Sequence, residues 1–85
     1  MAGKIKYAYQ MVECDEKKIY SIIAENLYRI RCEKKISIRL LSLTADVNER
    51  HLYSIQNGMA RASLPVLIRI AKALRVELSE LLEGI

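Results

Sequence analysis

The sequence predicts an all-α domain, and two observations lead to that prediction. Turn-forming residues are rare, since the 85 residues include only three glycines and one proline. Apolar residues recur at steps of three and four through most of the chain, which is the spacing of amphipathic helices. The length allows one compact domain, and the 52% of hydrophobic residues excludes a chain that is disordered by composition.

An N-terminal tail, residues 1–14, departs from this helical spacing. Ile5, Tyr7, Tyr9 and Met11 occupy every second position, a pattern typical of a half-buried strand. A single strand is not stable on its own in water. Three alternatives therefore stay open for the tail: it pairs with another chain, it lies on the helical body, or it is disordered.

The remaining domain, residues 15–85, is predicted to contain five helices. The predicted spans are 16–34, 38–45, 49–57, 64–74 and 78–83. The first four follow residues that cap helix N-termini well, namely Asp15, Ser37, Asn48 and Ser63. Pro65 falls in the first turn of the fourth helix, where its missing N–H costs least.

The apolar positions of these five helices predict the hydrophobic core. The inward-facing set is Ile19, Ile22, Ile23, Leu27, Ile30, Leu41, Ala45, Leu52, Ile55, Leu64, Leu67, Ile68, Ala71, Leu74, Leu78, Leu81 and Leu82. Cys32, on the first helix, is predicted to be a small buried or half-buried residue. One histidine and two cysteines do not make a zinc site, and no metal or cofactor is expected.

The net charge of +4 is concentrated in the middle of the chain. Residues 29–61 carry seven basic and three acidic side chains, whereas residues 1–28 and 62–85 are each neutral. A local excess of basic residues favours a polyanionic partner, because each neutralised phosphate releases counterions. Charge alone leaves the alternative of a surface charge that only keeps the protein soluble.

The second and third helices are joined by only Asp46-Val47-Asn48, which requires a sharp bend. Val47 is predicted to fill the corner between the two helices. This is the helix-turn-helix arrangement, in which the second helix presents a polar face outward.

Residues 27–83 resemble the phage repressor and Cro-like (Xre-type) helix-turn-helix domain. The resemblance depends on an ordered set of short matches at the right spacing. The matches are Leu27-Tyr28-Arg29-Ile30-Arg31, Ile36-Ser37, Leu41-Ser42, Val47-Asn48, Leu52, Ile55-Gln56-Asn57-Gly58, Ser63-Leu64, Leu67, Ile70-Ala71-Lys72-Ala73-Leu74, Val76 and Leu81-Leu82. The resemblance implies a five-helix, lambda-repressor-like bundle that dimerises and binds operator DNA as a transcriptional regulator.

The resemblance also assigns DNA contacts. Helix 49–57 becomes the recognition helix in the major groove, with base contacts from Glu49, Arg50, Tyr53 and Ser54. Arginine can bond to both acceptors of guanine, and glutamate can accept from the amino group of cytosine. Pairing with Glu49 or Asp46 is the alternative role for Arg50.

Phosphate contacts are assigned to the start of helix 38–45 and to the loop after helix 49–57. The residues are Ile38, Arg39, Asn57, Gly58 and Arg61. Free N–H groups at a helix N-terminus suit a phosphate, and Gly58 is expected to end the helix in a left-handed conformation.

The sequence departs from the family pattern at several positions. Ile38 replaces a common glutamine, Asp46 the turn glycine, Gln56 an acid and Ala62 a proline. Helix 38–45 also carries apolar residues where the family is usually polar. Ile38, Leu40 and Leu43 are therefore predicted to form an exposed apolar strip, which usually marks a contact surface.

The leading hypothesis is a homodimeric, sequence-specific transcriptional regulator that binds double-stranded DNA. The alternative is a protein-interaction module, such as the antitoxin of a toxin–antitoxin pair, with a protein partner and only secondary DNA binding. An enzyme is not expected, because no catalytic constellation is evident. No apolar run is long enough to span a membrane and no signal peptide is recognisable, so a cytoplasmic location is expected.

Overall fold

The computed structural model describes residues 15–85, and every regular element within that range is a helix. The helices are α1 (Glu16–Glu33), α2 (Ile38–Ala45), α3 (Glu49–Gln56), α4 (Leu64–Leu74) and α5 (Leu78–Leu81). The five-helix prediction is confirmed, although α1 and α3 end one residue earlier than expected and α5 two residues earlier. The tail, residues 1–14, with its possible strand, lies outside the described residues.

Side-chain caps explain where the first four helices begin, and all four predicted caps are confirmed. The Asp15 carboxylate accepts from the N–H groups of Lys17 and Lys18 at the start of α1. Ser37, Asn48 and Ser63 do the same for α2, α3 and α4. Each cap satisfies N–H groups that have no partner within the helix, which stabilises the domain by about 1 kcal/mol per cap.

The helices enclose one hydrophobic core. Helix α1 packs against α3 and α5, α2 packs against α3 and α4, and α4 packs against α5. The core residues are Ile23, Leu27, Ile30, Ile38, Leu41, Ala45, Val47, Leu52, Ile55, Ala62, Leu67, Ile70, Ala71, Leu74 and Leu81. Helix α3 packs against both α1 and α2, and its residues Leu52 and Ile55 are part of the core, so its orientation is set by the core.

Three predictions of burial are wrong. Leu64 and Ile68 were expected to face inward, but they are 58% and 37% exposed. Leu64 is the first residue of α4 and precedes its buried stripe. The buried residues of α4 are Leu67, Ile70, Ala71 and Leu74, and Ile68 lies about 100° around the helix from Leu67. Cys32 is exposed for a similar reason, since it lies about 200° around α1 from buried Ile30.

The buried side chain of Asn26 connects α1 to the end of α5. The Asn26 side chain donates to the carbonyl oxygens of Leu81 at 2.8 Å and Glu83 at 2.9 Å. These bonds satisfy carbonyl groups at the end of α5, where the helix itself offers no partner. Asn26 therefore holds a short helix that has no side-chain cap at its own N-terminus.

Candidate nucleic-acid interface

The junction between α2 and α3 forms a tight bend. Asp46 ends α2 in the left-handed conformation, with φ of 55° and ψ of 51°, and its N–H donates to the carbonyl of Ser42. Val47 fills the corner and is buried, as predicted. Asn48 then starts α3, because its Oδ1 accepts from the N–H groups of Arg50 at 2.8 Å and His51 at 3.3 Å.

Helix α4 supports this bend from the other side. The Arg69 guanidinium donates to the carbonyl oxygen of Asp46 at 3.3 Å. Aspartate tolerates the left-handed region better than most residues, since its short polar side chain can hydrogen-bond locally. The bend therefore forms without the glycine that the family pattern has at position 46.

Helix α3 is amphipathic, with one buried and one exposed side. Leu52 and Ile55 are 0% and 2% exposed and fix the inward side. The opposite side presents Glu49, Arg50 and Tyr53, and Tyr53 is 49% exposed. A long polar face on a helix that is anchored by its other face is the geometry needed to enter a groove of DNA.

The structure brings three of the four predicted base-contacting residues together. Glu49, Arg50 and Tyr53 line one shallow groove with Asn48. Ser54 is half-buried and does not line this groove. Among residues 15–85 no ion pair involves Arg50, so its pairing with Glu49 or Asp46 is not observed.

The start of α2 has the predicted backbone geometry, but the predicted apolar strip is wrong at one position. Ser37 Oγ accepts from Leu40 N–H at 3.0 Å, and the N–H groups of Ile38 and Arg39 lie at the open end of the helix. The Ile38 side chain is only 4% exposed, because it shares the face of Leu41. Only its backbone can therefore reach a phosphate.

The exposed apolar residues of α2 are Leu40 and Leu43. They are 52% and 73% exposed, respectively. This leaves a pair of apolar side chains where a strip of three was predicted.

The loop after α3 folds tightly on itself. Gly58 has φ of +72°, which confirms the left-handed conformation expected there. The N–H groups of Asn57 and Gly58 donate to the carbonyls of Tyr53 and Ile55. Met59 and Ala60 both donate to the Ser54 carbonyl, at 2.8 and 3.2 Å. The N–H groups of Asn57, Gly58, Met59 and Ala60 are thus engaged within the protein. A phosphate contact from these four residues would depend on the Asn57 side chain, and Arg61 adds its guanidinium.

Arg61 itself is not isolated. Its Nη2 atom lies 2.6 Å from Oε2 of Glu16, the first residue of α1. Both side chains are largely exposed. The guanidinium predicted to contact phosphate is therefore paired with a carboxylate of its own chain.

One arginine that supports the site was not identified from sequence. Arg31 on α1 donates through Nε to Gln56 Oε1 at 2.9 Å and through Nη1 to the Ile36 carbonyl at 3.0 Å. Its guanidinium carbon also lies 5.6 Å from the centre of the Tyr28 ring. Arg31 thus joins the end of α3, the segment before α2, and α1. No local sequence pattern pairs Arg31 with Gln56, which lies 25 residues further along the chain.

Two further findings concern the described residues as a whole. Between residues 15 and 85 no group of histidine, cysteine and acidic side chains is arranged to hold a metal ion. In the same range, none of the helices has both the length and the apolar character needed to cross a bilayer.

Two short capped helices around a three-residue bend define a helix-turn-helix domain. The helix-turn-helix family matches residues 27–81, and the chain belongs to that family. This confirms the resemblance drawn from the sequence. No curated protein matches the chain.

Several solved structures share the fold. The restriction-modification controller protein C.AhdI from Aeromonas hydrophila is 22% identical with a TM-score of 0.71, and the match covers 73% of this chain and 94% of that one. An HTH_3 family transcriptional regulator from Vibrio cholerae is 22% identical with a TM-score of 0.76, over 79% of this chain but 38% of that one. The clp gene regulator ClgR from C. glutamicum is 20% identical with a TM-score of 0.72, over 75% and 83%. At these identities the likeness establishes a common fold.

Proposed function

We propose that this chain is a DNA-binding transcriptional regulator that places α3 in the major groove. The observation that carries the proposal is the exposed group Glu49, Arg50 and Tyr53 on a helix whose other side is locked in the core. An arginine with no ion-pair partner in the described residues is available to bond with a guanine.

The likeness to known regulators supports this proposal. The solved structures with the same fold are described as a restriction-modification controller protein, a transcriptional regulator and a clp gene regulator. The basic excess in residues 29–61 coincides with the helix-turn-helix and its flanking segments. We further propose a cytoplasmic location, where duplex DNA is accessible, and a role that involves no catalysis.

Homodimerisation is part of the proposal. A helix of this kind reaches base edges with three or four side chains, and each recognised base pair contributes about 1–3 kcal/mol of discrimination. One copy alone would distinguish few sites from the rest of a genome. Two copies on half-sites about 34 Å apart, one turn of DNA, would double the sequence that is read.

Binding to duplex DNA as a function of salt concentration tests the proposal. We expect binding that weakens linearly on a log–log plot of affinity against salt, with a slope set by the phosphates contacted. Arg50→Ala should weaken binding, whereas Arg29→Ala is the matched control because Arg29 pairs with Glu33 on α1. Folded protein that binds no duplex at low salt would refute the proposal.

A second candidate is a protein-interaction module in which DNA binding is secondary, such as an antitoxin. The specific observation in its favour is the exposed apolar pair Leu40 and Leu43 on α2. A defined complex with a second protein that is lost on Leu43→Glu would favour this candidate. A homodimer that binds DNA equally well with and without that substitution would count against it.

A further inference from the structure

The ion pair between Arg61 and Glu16 connects the predicted phosphate-binding loop to a residue outside the family match. Glu16 begins α1, eleven residues before the matched span of 27–81. The two side chains also line one groove, together with Lys17, Tyr20 and Met59. The first turn of α1 therefore lies beside the loop that follows α3.

We propose that Glu16 competes with DNA phosphate for Arg61 and so limits the affinity of the interface. This inference rests on the proposed function of the chain. Carboxylate and phosphate oxygens bond to the same N–H groups of a guanidinium. A phosphate that approaches Arg61 must displace Glu16 or share the guanidinium with it, and in either case it meets a like charge.

The position of Glu16 is held by the backbone. Asp15 accepts from the N–H groups of Lys17 and Lys18, which fixes the first turn of α1 around Glu16. The carboxylate therefore starts beside Arg61 even though its own side chain is exposed.

The expected effect is modest because both partners are exposed, with side-chain accessibilities of 74% for Arg61 and 59% for Glu16. Exposed pairs are weak, so removing the competitor should raise DNA affinity about twofold to fivefold for each copy bound. The effect should also be local. Charges further away than about 8 Å are largely screened at physiological salt.

The chain offers a matched control for this effect. Glu33 lies at the other end of α1, about 25 Å from Glu16, and forms its own exposed ion pair with Arg29 at 3.4 Å. Glu16→Gln and Glu33→Gln change the net charge equally and each removes one exposed pair. They differ in the arginine that is released: Glu16→Gln releases Arg61, which belongs to the proposed interface, and Glu33→Gln releases Arg29, which does not.

The test measures the affinity of wild type and the two variants for a duplex of about 30 base pairs, which accommodates two half-sites one turn apart. We expect Glu16→Gln to bind about twofold to fivefold more tightly than Glu33→Gln, with a salt slope up to about one unit steeper for each copy. In an Arg61→Gln background the two glutamate variants should bind alike, because the group for which Glu16 competes is gone.

Two results would overturn the competition. Equal affinities for Glu16→Gln and Glu33→Gln in the wild-type background would show that Arg61 is not restrained. Weaker binding by Glu16→Gln would show that Glu16 positions Arg61 productively. Either result leaves the proposed function intact, since DNA is still bound. No binding by any variant, with circular dichroism showing folded protein, would remove the proposed function and the competition together.

Discussion

Arg31→Ala should destabilise the domain and loosen the recognition helix. The substitution removes the bonds from Arg31 to Gln56 and to the Ile36 carbonyl, at 2.9 and 3.0 Å. It also removes the guanidinium over the ring of Tyr28. Because Arg31 is partly exposed, we assign about 0.5–1 kcal/mol to each bond and a similar amount to the aromatic contact. The free energy of unfolding should fall by about 2 kcal/mol.

Thermal and urea denaturation followed by circular dichroism would measure this loss. In a domain of this size, 2 kcal/mol corresponds to a Tm lower by about 8–16 °C. Arg29→Ala is the control, since it removes an arginine from the same helix whose only described partner is exposed Glu33. That control should lose no more than about 0.5 kcal/mol.

The comparison can fail in a clear way. If Arg31→Ala and Arg29→Ala have equal unfolding free energies, then Arg31 does not hold α3 to α1. If Arg31→Lys is as stable as wild type, charge alone is sufficient and the forked geometry of the guanidinium is not used.

The other predictions concern stability and DNA binding. Asn26→Ala should lower the free energy of unfolding by about 2 kcal/mol in urea denaturation, because the buried hydrogen bond to the Leu81 carbonyl and the partly buried one to the Glu83 carbonyl are both lost. A loss under about 0.5 kcal/mol would contradict this role. Ile38→Ala should lower the free energy of unfolding by about 2–4 kcal/mol, whereas Leu43→Ala should change it by no more than about 0.5 kcal/mol, since Ile38 is buried and Leu43 is exposed. Equal losses for the two variants in urea denaturation would contradict the observed packing. In the Glu16→Gln background, Arg61→Ala should reduce the salt slope of DNA binding by about one unit with unchanged base preference, and in the wild-type background by less, because Glu16 competes there for the guanidinium. An unchanged slope would remove Arg61 from the phosphate contacts.

The helices were predictable because their determinants are local. Asp15, Ser37, Asn48 and Ser63 each precede the helix that they cap, and the bond joins residues two or three positions apart. The bend at Val47 was predictable because only residues 46–48 connect α2 to α3, and both helices have an apolar face that must reach the same core. The same locality made the outward face of α3 predictable, because Leu52 and Ile55 determine which residues point away.

The error at Ile38 came from weighing the family pattern above the helical spacing. Ile38, Leu41 and Ala45 are separated by three and four residues, which places them on one face. All three are buried in the structure. The spacing alone would have put Ile38 in the core.

The contacts that were missed are distant in sequence. Arg31 and Gln56 are 25 residues apart, and Asn26 and Leu81 are 55 apart. No local pattern signals such a bond, since it depends on how α1 lies against α3 and α5. The pairing of Arg61 with Glu16 was missed for the same reason, so the charge of the loop was overestimated from sequence.

The most direct test of DNA reading by α3 is selection from a pool of randomised duplexes by the wild-type protein and by Arg50→Ala. We expect the wild-type protein to select a two-fold symmetric site, and Arg50→Ala to lose preference at one base pair of each half-site. That loss should correspond to about 1–3 kcal/mol of discrimination. Identical sites selected by both proteins, with affinity reduced equally on all sequences, would contradict base reading by Arg50. Recovery of no preferred sequence by the wild-type protein would contradict sequence-specific recognition by α3 altogether.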